Sequence, residues 1–106
     1  MITHTWDAIV SDIPTSFALA KRNEDCLLSI TQTGAPGSVI IVNQEDVKVL
    51  LGDRDNESVL LLANVLFNDI RPNGSLLLTV SLKQKLNESD ATVTIKQLIS
   101  QIRSQL

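Results

Sequence analysis

The sequence predicts an α+β fold: an antiparallel sheet covered by helices, in the order helix, strand, strand, strand, helix, strand, helix. Three observations point there. Apolar residues recur at helical spacing near both ends, three β-rich runs separated by turn residues lie between Cys26 and Leu51, and the apolar segment Ser58 to Ile70 is longer than an ordinary strand. The chain of 106 residues is expected to form a single domain, 1–106. That is enough for one core with a small margin, because short chains bury a lower fraction of their surface.

Near the N-terminus, Trp6, Ile9, Val10 and Ile13 fall at i, i+3, i+4 and i+7, with Thr5 placed to cap and Asp7 in the first turn. Pro14 interrupts the stripe and Phe17 continues it. The segment therefore reads either as one kinked helix to about Ala20 or as two short helices, the second capped by Asp12. The polar run Lys21 to Asp25 ends it.

Cys26 to Gln32 (CLLSITQ) is rich in β-formers, and Gly34-Ala35-Pro36-Gly37 is turn chemistry leading into Ser38 to Val42 (SVIIV). Asn43 to Asp46 separates that run from Val47 to Leu51 (VKVLL), which stops at Gly52. Together the three read as an antiparallel meander. Their apolar residues are continuous rather than alternating, which predicts a sheet covered on much of both faces.

After Asp53-Arg54-Asp55-Asn56 comes SVLLLANVLFNDI, in which Val59, Leu62, Leu66 and Ile70 form one helical row while Leu61, Val65 and Phe67 lie off it. Helix and strand both suit so apolar a run, and its length and the Ala63-Asn64 step favour helix. Arg71-Pro72-Asn73-Gly74 is a turn, and Ser75 to Leu82 then alternates as a strand. Ala91, Ile95, Leu98, Ile99, Ile102 and Leu106 mark an amphipathic C-terminal helix, with Ser89 or Asp90 as its cap.

Composition excludes several functions. The net charge is −3, the nine Lys and Arg are scattered, and there are one Trp, two Phe and no Tyr. A nucleic-acid surface would need a basic stripe with aromatic platforms. Cys26 is the only cysteine, so neither an internal disulfide nor a multi-thiolate zinc site can form. No run is long enough for a transmembrane helix and the N-terminus lacks a secretory pattern, so a cytoplasmic protein without membrane insertion is expected.

Chemistry-bearing candidates are few. His4 is the only imidazole and has no second ligand or orienting group in the pattern. Cys26 follows Glu24-Asp25, whose charge would raise its pKa. The acidic run from Asp53 fails as a calcium loop, because its sixth position is Ser58 rather than Gly and its twelfth is Asn64 rather than Glu. The Asn-x-Ser triplets at Asn56, Asn73 and Asn87 matter only in a secreted protein. The carboxylates Asp7 and Asp12, or Asp53 and Asp55, sit among polar neighbours that give neither a raised pKa. No cofactor or metal is expected, and the protein reads as a non-enzyme.

The remaining signal is apolar surplus. A helix without a polar face must be covered on two sides. The outer side of Ser58 to Ile70 represents on the order of 10 kcal/mol of transfer free energy if fully buried. A homodimer with Leu61, Val65 and Phe67 at its interface is the expected cover.

An acidic chain with this order of elements, with NEDCLLSI opening the sheet and ANVLFNDIRPNGSLLL joining middle helix to strand, resembles the class I effector chaperones of bacterial type III secretion, a virulence machinery. The resemblance implies a homodimeric chaperone or adaptor that holds a segment of a secreted effector protein, with the middle helix at the dimer interface. The alternative is an immunity or inhibitor protein that binds a folded basic enzyme through its acidic surface. Salt sensitivity separates the two.

Overall fold

The structure, a computed structural model, describes residues 2–33, 37–52, 57–83 and 88–106. Six strands, β1 (Ile2–Val10), β2 (Ile13–Arg22), β3 (Asp25–Thr31), β4 (Ser38–Val42), β5 (Val47–Leu51) and β6 (Leu76–Ser81), form one sheet ordered β1-β2-β3-β6-β4-β5. Helix α1 (Glu57–Ile70) lies between β5 and β6, and α2 (Glu88–Arg103) follows β6. The expected fold class is corrected on two points: the chain opens with two strands instead of a helix, and the sheet is mixed, because β3 and β6 run parallel.

The N-terminal helix gives way to a hairpin for a local reason. Five of the nine residues of β1 (ITHTWDAIV) are β-branched and disfavour helix. Trp6, Ala8 and Val10 turn inward while Thr5, Asp7 and Ile9 are exposed, and Ile9, at 63 % exposure, breaks the helical stripe it belonged to on paper. Ser11 and Asp12 both take positive φ, 51° and 65°, making the two-residue turn whose twist suits a hairpin. Pro14 is harmless there. Even-numbered residues of β2 direct their N–H groups towards β3, and that pairing starts only at Ser16↔Thr31, so the donor Pro14 lacks would have met no strand. Asn23, also at positive φ, turns β2 into β3.

The expected meander is corrected too. β6 inserts between β3 and β4, pairing Leu28 with Leu78 on one side and Ile40 with Leu78 on the other. The leucine-rich strand β6 (LLLTVS) thereby takes a central position. The junction is tied by short bonds: Gly74 N–H to Glu24 O (2.7 Å), Ser75 N–H to the Asp25 carboxylate (2.8 Å) and Cys26 N–H to Ser75 O (2.9 Å). A Cβ on Gly74 would meet that carboxylate, so a larger residue there would have to displace the Asp25 side chain from its bond to Ser75.

Segment 58–70 is helical, and the C-terminal helix starts at Glu88, so Ser89 and Asp90 fall inside its first turn rather than at the cap. Both helices lie on one face. Phe17, Leu28, Ile30, Ile40, Val42, Leu76, Leu78 and Val80 point from the sheet into a core closed by Val59, Leu62, Ala63 and Leu66 of α1 and Ile95, Leu98 and Ile102 of α2. Arg103 of α2 forms an ion pair with Asp69 of α1 at 2.8 Å. Residues 34–36 and 53–56, where the sequence predicts turns and where the acidic run beginning at Asp53 falls, lie outside the described residues, as does Asn87. Among the described residues no helix is long and apolar enough to cross a membrane.

Candidate protein-binding surface

Alternation along each strand gives the sheet a second face, and among the described residues no element covers it. The registers align its side chains in cross-strand rows. One row runs Ala20, Leu27, Leu77, Ile41, and the next runs Ala18, Ser29, Thr79, Val39, Leu51. Leu27 is 41 % and Leu51 56 % exposed, while Leu77, Ile41 and Val39 are half-buried by their neighbours in the sheet. Where the first row meets the end of the sheet, a shallow depression of about 390 Å³ is lined by Ala20, Leu27, Ile41 and Leu77, with Arg22 and Asp25 among the residues at its rim.

The composition of this face suits another sheet. Its centre holds no charge, and its charges lie at the periphery: Asp7 on β1, Arg22 and Asp25 at one end, Lys48 on β5. The small residues Ser16, Ala18, Ala20 and Ser29 let an opposing layer approach to the roughly 10 Å at which sheets pack. Contiguous apolar surface of this kind marks an interaction site.

The residues expected at a dimer interface are not brought together. Leu61 is 56 % exposed and shares a flank of α1 with half-buried Val65. Phe67 sits on the opposite flank by helical angle and packs against the core. Sequence reasoning missed Leu27, Val39, Ile41 and Leu77 as surface residues. The signal was present in the adjacent apolar residues Leu27-Leu28, Val39 to Val42 and Leu76 to Leu78, which put apolar side chains on both faces of the sheet although both helices lie on one.

The two reactive side chains have structural surroundings. His4 stacks on Trp6, which stacks on Phe17 with the rings 3° from parallel, and His4 hydrogen-bonds Gln105 beyond the end of α2. Cys26 is buried, and burial is the main reason its thiol is pushed up; Asp25 adds to the rise and Lys21 opposes it. Sequence reasoning gave the acidic neighbours the leading part, whereas desolvation has it. Among the described residues no three His, Cys, Asp or Glu side chains cluster as a metal site.

Residues 27–105 match the family model of proteasome assembly chaperone 3. In three dimensions the chain is similar to a protein in the crystal structure of a chaperone complex for yeast 20S proteasome assembly, with a TM-score of 0.73 and 18 % identity over 98 % of both chains. No match was found among curated proteins. The family match and the fold overturn the resemblance to type III secretion chaperones, and with it the secreted-effector partner and the virulence role. Neither finding supports the immunity-protein alternative. The chaperone and protein-binding character expected from the sequence agrees with them.

Proposed function

The chain belongs to the proteasome assembly chaperone 3 family, and we propose that it works by binding alone, as a dimeric chaperone in assembly of the 20S proteasome. The observation that carries this reading is the open apolar face of the sheet. A second copy laid on it would form a two-layer sandwich with helices outermost, burying Leu27, Val39, Ile41, Leu77 and Leu51. Each such side chain contributes about 1.5–3 kcal/mol when fully buried, and association offsets part of the sum. The partner on the remaining surface is then a proteasome subunit or assembly intermediate, and the location is cytoplasmic.

Light scattering and circular dichroism test the dimer. The wild-type chain should give twice the monomer mass. Leu77→Asp should give a folded monomer, because a charge would be stranded in the layer between sheets. A folded Leu77→Asp dimer would refute the sheet interface. The exposure of Leu61 keeps an α1 interface as the second reading. Under it Val65→Asp, not Leu77→Asp, should dissociate the protein.

A further inference from the structure

β1 is an outer strand of the sheet, and among the described residues no bulge, proline or covering element closes its outer edge. All nine of its residues pair with β2 in unbroken register, without a bulge or proline in β1. Val10 and Ile13, flanking the two-residue turn, form a hydrogen-bonded pair. Strict alternation then leaves Thr3, Thr5, Asp7 and Ile9 with their N–H and C=O groups directed away from β2. Those four residues are exposed, and among the described residues none of their outward backbone groups has a partner. Edge strands this long are ordinarily shortened, bulged or covered. The opposite edge shows the contrast: β5 has five residues and its pairing is irregular between Val39 and Ile40.

We infer that the β1 edge receives an extended segment of a partner protein as a seventh strand, with a basic side chain in register with Asp7. Asp7 is exposed and forms no ion pair among the described residues, its β2 neighbour being Ser16. It supplies the charge complementarity. A second copy does not suit this edge. Helix α2 runs along β1, held at one end by Ser11 N–H to the Gln97 side-chain oxygen (2.7 Å) and the Ser11–Thr94 hydroxyl pair (2.7 Å), and at the other by His4 with Gln105. Adjacent strands lie about 4.8 Å apart, whereas packed helices need about 8–10 Å between axes. A β1-to-β1 pair would drive the two α2 helices into each other. A bare extended segment brings no helix, and its inward side chains would lie beside Trp6 and Ala8 and below the amide-lined flank of Gln97, Gln101 and Gln105. This inference rests on the edge alone and does not require the sheet-face dimer.

The test uses the full chain and two capped peptides, TVTVKVTVT and TVTVEVTVT, read by amide hydrogen exchange and NMR shifts. The lysine peptide should slow exchange at Thr3, Thr5, Asp7 and Ile9 by about tenfold at saturation, while the inward-bonded amides of Trp6 and Ala8 keep their rates. It should bind about threefold more tightly than the glutamate peptide, and Asp7→Lys should reverse that order. Thr5→Pro should abolish binding with the β1–β2 ladder intact, since the donor removed is an outward one. Unchanged exchange at the four outward amides in saturating peptide would overturn the inference. So would their protection in the free chain, whether at high dilution or appearing with rising concentration, the latter identifying a second copy as the occupant. The dimer mass reads out the earlier proposal separately.

Discussion

The two faces of the sheet are made by alternate residues of the same strands, yet they have opposite fates. On β3, Leu28 is fully buried and Leu27 is 41 % exposed; on β6, Leu78 is fully buried and Leu77 only half-buried. Residue type is identical across each pair. What differs is cover: α1 and α2 both lie on the side of Leu28 and Leu78. Burial is thus a property of what the chain can place opposite a side chain, and an apolar strand residue without such cover is a statement about partners.

The largest test of this contrast removes the cover. Truncation after Asn87 deletes α2 and with it Ile95, Leu98 and Ile102, exposing the part of the inner face that α1 does not cover. The loss is on the order of several kcal/mol, comparable to the stability of a small domain, so the product should be molten or insoluble by near-ultraviolet circular dichroism. Unchanged melting would show that α2 is a free arm.

A matched pair of truncations within β6 sharpens the comparison. Leu78→Ala should cost about 2–5 kcal/mol in urea unfolding, through lost transfer energy and a cavity. Leu77→Ala should cost about 1 kcal/mol or less at low protein concentration. If the open face is a dimer interface, the cost of Leu77→Ala should grow with concentration while that of Leu78→Ala does not. Equal costs at high dilution would show that the outer face is covered within one chain.

The smallest effect concerns Cys26. Its thiol pKa is raised in the folded chain, chiefly by burial, so the native state holds the proton at pH values where the unfolded chain has lost it. The associated stability is fully present below the unfolded pKa and is lost as pH rises through the folded one. Stability should therefore decline in the alkaline range, and Cys26→Ala should remove that part of the slope. Alkylation at pH 8 should be about tenfold slower than in the urea-unfolded chain. Fast alkylation of the native protein would contradict the burial of the strand end that borders the open face.

Much of the second half was legible in residues alone. The strand from Ser75, the amphipathic C-terminal helix and the helical middle segment follow from local periodicity, and the structure has them at nearly the expected bounds. The first helix did not survive, because Trp6, Ile9, Val10 and Ile13 fit a helical stripe as well as they fit strands. The turn that decides between them, Ser11-Asp12, lacks the glycine or asparagine that signals a hairpin in sequence.

By itself the sequence determined that the chain has several strands, two long helices and more apolar surface than one core consumes. These depend on residue type and spacing over a few turns. The tertiary structure decided that β6 runs parallel to β3 between it and β4, that both helices fall on one face, and that β1 lies at an open edge. Those choices join residues some fifty positions apart, such as Asp25 with Ser75, and hydrophobic pattern assigns a residue to a face without naming the strand beside it.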